Sequence, residues 1–448
     1  MTKMTGLLID APVLFPSLRE NVVIVPGPSA VGIYDLNAGE FHRVTSAAGG
    51  VLSSCDGLTS IVDRPSDEQD FIYEAVAKGI VSLHSKPTPT KRTELAEAIR
   101  PLRPPKFAWI EITSKCNQVC LHCFLGEDLN RSPHVAAEKL KARADELAAL
   151  GVEQVVISGG EPTLHPDFEE ILDYFSKKSF SLTVLTNGSY KKIVRYIELF
   201  KRYKVTAKIP LLGWGDSHDR MTGTPGSFHR AIAAIKEFCL NGVHTQLGST
   251  ITALNETDVL PMREFASELG LHIEFSPIFL VGYARDNVRQ LVPESMERII
   301  SVCQSCNNSA ANKSTANPKS RNQSDDYAAV DLHGYLTAHH ECGQKILAVL
   351  ADGFVTPCLL LREKQHRIGS LHVNSLTEIV EGKADRSAFD QTMSLQQIPG
   401  CSECEARFVC KAGGCPASAY ALTGFAARKN PLYDKCYYQA GSSLSEPQ

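Results

Sequence analysis

Cys116, Cys120 and Cys123 stand as C-x3-C-x2-C in the segment Glu111-Ile-Thr-Ser-Lys-Cys-Asn-Gln-Val-Cys-Leu-His-Cys-Phe124. Three thiolates on one short loop can ligate three irons of a cubane cluster and leave the fourth iron open to bind something else. Short cysteine groups also make zinc sites, so the spacing alone leaves both chemistries available. A second group, Cys342, Cys358, Cys401, Cys404, Cys410, Cys415 and Cys436, lies towards the C-terminus. Its C-x2-C pair fits a zinc ribbon as well as iron-sulfur ligation. Cys303 and Cys306 form a further C-x2-C pair, for which redox, incidental and ligand roles all stay open. Cys55 and Cys239 stand alone and read as small buried hydrophobes.

Something must hold these thiols in place. The first loop follows an apolar, β-prone stretch, Phe107 to Ile112. Val155-Val-Ile-Ser-Gly-Gly-Glu-Pro162 reads as a buried strand ending in a Gly-Gly-Glu-Pro turn, and Thr183-Val-Leu-Thr-Asn-Gly188 as the next strand with its own polar end. Gly159 and Gly160 permit close backbone approach, and Glu161 places a carboxylate beside them that suits a substrate ammonium. Further strands are expected at Val205 to Leu212, Thr245 to Thr252 and His272 to Phe279, with helical patterns between them. Six β/α units predict a parallel sheet, and in a parallel barrel the chemistry sits at the carboxyl ends of the strands, where these motifs fall.

The cysteine loop and the Gly-Gly-Glu-Pro turn, in this order, resemble the radical S-adenosylmethionine (radical SAM) superfamily. The resemblance covers roughly residues 106 to 290 and implies an α/β fold with a partial (β/α)6 TIM-like barrel. It implies a 4Fe-4S cluster on Cys116, Cys120 and Cys123, with the open iron chelated by the amino group and carboxylate of SAM. Gly159, Gly160, Glu161 and Pro162 would contact the SAM amino group, and Thr186 and Asn187 would face its ribose. One departure stands out: many relatives carry Ser-Leu-Asp-Gly where this chain has Pro210-Leu-Leu-Gly213, so no catalytic role is assigned to Asp216, and catalytic acid or base residues stay unassigned. Trp214 and His218 read as loop packing.

The later cysteines are similar to the SPASM extension of peptide and sulfatase maturases, which holds up to two auxiliary 4Fe-4S clusters, for about three clusters in all. That likeness would give Cys401, Cys404, Cys410 and Cys436 to an outer cluster, and Cys342, Cys358 and Cys415 to an inner one. The inner set leaves either an open iron or a fourth ligand from Cys303 or Cys306. Between Cys410 and Cys415 there are four residues where three are usual.

Ahead of the barrel, Val22 to Val25, Val31 to Tyr34, the turn Asp35 to Gly39 and a helix from Phe71 stopped by Gly79 predict a small α+β module. It resembles, weakly, the winged-helix peptide-recognition domain of the pyrroloquinoline-quinone D type. The expected organisation is a recognition module over 1–90, a Pro-rich linker over 91–105, the barrel over 106–300, a mobile polar insertion over 301–330 and the SPASM region over 331–448. The 448 residues are 43% hydrophobic and 21% charged with a net charge of -4, which gives no reason to expect nucleic acid or an anionic membrane as a partner. No 18-residue apolar run or secretory pattern is present, so the cytoplasm is the expected compartment. Taken together, these features predict a radical SAM maturase that modifies a ribosomally made precursor peptide and takes electrons from a flavodoxin or ferredoxin. The alternatives are a tetrapyrrole or protein substrate, and a non-enzymatic iron-sulfur or zinc scaffold.

Overall fold

The structure is a computed structural model describing residues 13–89, 91–95, 105–131, 134–190, 193–292, 298–299, 302–303, 342, 346–384, 394–410 and 416–423. Cys306, Cys415 and Cys436, most of the polar insertion and much of the Pro-rich linker lie outside the described residues.

The N-terminal module is α+β. Strands β2 (Val22–Pro26), β3 (Val31–Asp35) and β4 (Glu40–Val44) form an antiparallel sheet, while β1 (Phe15–Leu18) pairs with β5 (Val81–His84). The Asp35 carboxylate accepts from the backbone N–H groups of Asn37 and Ala38 at 2.9 Å, an Asx-type turn that closes the β3–β4 hairpin. Helices Ser46–Ser53 and Ser66–Ala77 bury Leu52, Phe71, Ile72 and Ala75 against that unit.

Strands β6 (Phe107–Thr113), β7 (Gln154–Gly159), β8 (Ser181–Leu185), β9 (Thr206–Pro210), β10 (Thr245–Ile251) and β11 (Ile273–Pro277) pair in parallel, in chain order. Crossover helices enforce that order. Helix Ala137–Ala149 lays Leu140, Ala144 and Leu147 on the sheet, and Ser227–Leu240 does the same with Ala231, Ala234, Ile235 and Phe238, the spacing of one helical face. The six expected barrel strands are all present.

The C-terminal extension does not stand apart from the barrel. Strand β12 (Ile346–Val349) pairs in parallel with β6, and β13 (Phe354–Thr356) and β14 (Gly369–Ser370) follow antiparallel, so that one sheet runs to nine strands. An ion pair clamps the junction. Glu111, inside β6 and only 1% exposed, accepts from both terminal nitrogens of Arg362 and from the Ala351 backbone N–H at 3.1 Å, and Arg362 also reaches Asp128 at 3.3 Å. A buried carboxylate without such partners would be costly. Cys303, expected at the head of the polar insertion, is instead 3% exposed and packed into the barrel core.

Candidate active site

The loops leaving β6, β7 and β8 close over a cavity of about 300 Å³ whose wall includes Cys116, Cys120, His122, Cys123, Gly159, Gly160, Thr186 and Asn187. Local chain geometry brings them there. Gly159 has φ +141, and a Cβ at Gly160 would lie 2.5 Å from the Lys115 carbonyl carbon, so the β7 turn can press against the cysteine loop only without side chains. Gly160 N–H donates to the Thr113 carbonyl at 2.8 Å and Glu161 N–H to the Lys115 carbonyl at 2.7 Å, tying the two loops together.

Glu161 is held by a hydrogen-bond network of its own. Its side chain is 1% exposed and absent from the cavity wall, as is Pro162. One carboxylate oxygen accepts from the Thr163 hydroxyl at 2.6 Å and the Thr186 hydroxyl at 2.8 Å, and the other from the Asn187 N–H at 2.7 Å. Burial pushes its pKa up, against these hydrogen bonds, which favour the charged form. The carboxylate therefore fixes the end of β8, while Gly159, Gly160, Thr186 and Asn187 line the cavity.

The network extends into residues that the sequence reading passed over. The Tyr190 hydroxyl donates to Thr186 at 3.0 Å, Asn187 donates to Asn117 at 2.6 Å, and Gln118 donates to Ser189 at 3.3 Å, so β8 is stitched directly to the cysteine loop. Lys208 on β9 and Glu274 on β11 form a 2.9 Å ion pair on the cavity wall, and His122 lies there with Nδ1 lacking a hydrogen-bond partner among the described residues. Burial lowers the His122 pKa to about 4. A charged residue at an alternating strand position was the only signal for Lys208. His218 packs as expected: its Nδ1 accepts from the Leu212 N–H at 3.1 Å.

Among the described residues the cysteines form no disulfide. Among the described residues no three His, Cys, Asp or Glu side chains converge as the ligands of one metal ion would. Burial pushes the Cys116 thiol up to about 12 and raises Cys120 and Cys123, and Cys120 is pushed further by the charges of Cys123 and Cys116. Desolvated thiolates that repel one another call for a shared cation, which reverses that balance when bound. An iron-sulfur cluster fits this donor set. Further along, a hydrogen bond from the Cys342 thiol lowers the Cys358 pKa, and Leu360, two residues on, lines the same cavity as the first cysteine loop.

Family models match at two places: the radical SAM superfamily over residues 110–266 and an iron-sulfur cluster-binding domain, SPASM, over residues 341–405. The chain is a radical SAM enzyme with a SPASM domain. Its cofactors are accordingly SAM and 4Fe-4S clusters, with further clusters in the SPASM domain. The radical SAM match runs from β6 through β10 and ends before β11, and the SPASM match runs from just before β12 to Glu405. Among curated relatives, an AdoMet-dependent heme synthase of Methanosarcina barkeri is 28% identical, over 75% of this chain and 97% of that protein. The PqqA peptide cyclase of Ruegeria pomeroyi is 27% identical, over 72% of this chain and 85% of its own. In fold, SuiB of Streptococcus suis bound to S-adenosylmethionine matches with a TM-score of 0.58 at 16% identity, covering 94% of this chain and all of that one. Among the described residues no helix is long and apolar enough to cross a membrane.

Proposed function

We propose that this radical SAM enzyme is a peptide maturase acting on a ribosomally made precursor peptide. When bound, SAM and the cluster on Cys116, Cys120 and Cys123 supply a 5′-deoxyadenosyl radical that removes a hydrogen from an unactivated carbon, and the auxiliary clusters supply an electron sink for the oxidation that follows. The protein's own residues position these groups. Gly159 and Gly160 leave backbone open to the SAM amino group, and Glu161 holds Thr186 and Asn187 where the ribose would lie. Of the tail cysteines, Cys342, Cys358 and Cys415 are assigned to an inner cluster and Cys401, Cys404, Cys410 and Cys436 to an outer one. A flavodoxin or ferredoxin is the proposed electron donor, and the cytoplasm the proposed compartment.

The observation that carries the peptide reading is the N-terminal module. Its sheet runs β2-β3-β4 with β2 and β4 outermost among the described strands, and an extended peptide can be captured by an outer strand of such a sheet. The PqqA peptide cyclase is named for a peptide substrate, and SuiB has been solved with its precursor peptide SuiA. The heme synthase relative favours a second reading, a tetrapyrrole substrate. One experiment separates them. Anaerobically reconstituted enzyme, SAM and dithionite are incubated with peptides encoded by small neighbouring reading frames, or with iron-coproporphyrin. A peptide mass change accompanied by 5′-deoxyadenosine supports the maturase; decarboxylation of the porphyrin with unmodified peptides would reject it.

A further inference from the structure

Glu405 follows Cys404 directly and is 5% exposed, covered by the N-terminal module. Arg43 on β4 donates from Nε to its carboxylate at 2.7 Å, and the Tyr34 hydroxyl on β3 donates to its backbone carbonyl at 2.7 Å. The module is bare of side chains where this turn presses on it: a Cβ at Gly32 would lie 2.5 Å from that same carbonyl oxygen, and one at Gly27 would lie 2.7 Å from the Glu405 nitrogen. Apolar contacts flank the grip. Val23, Val25, Tyr34 and Leu36 share a core with Leu395, Ile398 and Phe408, and Cys401 packs at its border. Within the gripped segment, Cys404 N–H donates to the Cys401 carbonyl at 3.1 Å, and Cys410 ends the short helix Arg407–Cys410.

The module thus contacts the segment before Cys401, at Glu405 and beyond it at Phe408. A cysteine turn this short has little internal structure to hold its shape, so its geometry depends on the surface it rests on. Its charge environment depends on the same contact, because Arg43 neutralises a carboxylate one residue from Cys404. Cluster potentials follow nearby charge and solvent exposure.

We propose that the N-terminal module is a structural part of the outer auxiliary iron-sulfur site. Arg43, Tyr34 and Gly32 are positioning residues that hold Glu405 and so set the geometry and charge around Cys401, Cys404 and Cys410. The inference rests on the SPASM assignment and holds for any substrate. It also means that a ligand docking on the N-terminal sheet beside β4, the strand that carries Arg43, acts one contact away from the outer site.

The test uses full-length protein, reconstituted anaerobically, with iron and sulfide counted per chain and each cluster titrated potentiometrically by electron paramagnetic resonance. Gly32→Leu should cost roughly one 4Fe-4S cluster per chain while the signal of the cluster on Cys116, Cys120 and Cys123 persists. Arg43→Met leaves the Glu405 charge uncompensated and should lower the outer-cluster potential, Glu405→Gln leaves Arg43 uncompensated and should raise it, and Arg43→Lys should restore most of the wild-type value. Full cluster content in Gly32→Leu, or unshifted or same-direction potentials in the Arg43 and Glu405 variants, would overturn the proposal. If Gly32→Leu fails to fold, the opposed shifts of the other two decide.

Discussion

The two described cysteine loops are supported in opposite ways. The loop of Cys116, Cys120 and Cys123 is held by its own barrel: the β7 turn hydrogen-bonds it, and Asn187 and Ser189 stitch β8 to it. The turn of Cys401 and Cys404 is held by a module some 360 residues away in sequence, through Tyr34 and Arg43. A site inside a repeating β/α unit takes its support from the next strand ends, whereas a site on a short irregular extension must borrow a surface. Radical generation is therefore built into the most regular part of the fold, and the auxiliary chemistry into an assembly of distant parts.

The largest effects should come from removing each cysteine group in turn. Replacing Cys116, Cys120 and Cys123 together by Ala should abolish reductive SAM cleavage, read as 5′-deoxyadenosine, while iron on the extension is retained; loss of all iron would show that the two regions are not independent. Replacing Cys401 and Cys404 by Ala should leave SAM cleavage largely intact and eliminate modified product, measured on protein first shown to be folded. Full product from that variant would deny the outer site an obligatory redox role.

Arg362→Met sharpens the comparison, because Arg362 is the charged partner that the extension supplies to Glu111 in the barrel. Leaving the buried Glu111 carboxylate unpaired should destabilise the protein by about 3–5 kcal/mol in urea unfolding, with Glu111→Gln plus Arg362→Met recovering much of it. Thr186→Val removes a donor to Glu161 and the acceptor of Tyr190, and should cost about 1–3 kcal/mol, together with weaker SAM binding by calorimetry. An unchanged stability would mean that the β8 end is held by backbone alone.

The smallest effect concerns pH. Burial lowers the His218 pKa from 6.5 to about 4, so the folded protein binds fewer protons than the unfolded chain between those values. Its contribution to stability is complete above pH 6.5 and is lost as pH falls towards 4. The urea midpoint should decline over that window, and less steeply in His218→Gln; equal slopes would assign the decline to other groups.

The barrel was legible because its signals are local and repeated. Each strand is a short apolar run whose end carries a motif, and the limits expected for β6, β7 and β10 lie within one residue of those observed. The Asp35 turn and the Gly79 stop were equally readable, since both depend on the conformational preferences of single residues. Glu161 shows what local reading leaves undetermined. Its position in a motif was plain, yet whether a carboxylate faces a ligand or its own backbone depends on which donors the neighbouring strand delivers, and Thr186 and Asn187 arrive from 25 residues downstream.

By itself, then, the sequence determined the grouping of the cysteines, the order of the β/α units and the place of the motifs at strand ends, because spacing and hydrophobic period act over a few residues, while the choice of iron-sulfur over zinc followed from the resemblance that the two motifs carry. Only the tertiary structure decided that β12 extends the barrel sheet beside β6, that Arg362 satisfies a carboxylate buried in the first barrel strand, and that Arg43 meets Glu405. Those contacts join segments hundreds of residues apart, and no local preference encodes a partner that becomes adjacent only when the whole chain has packed.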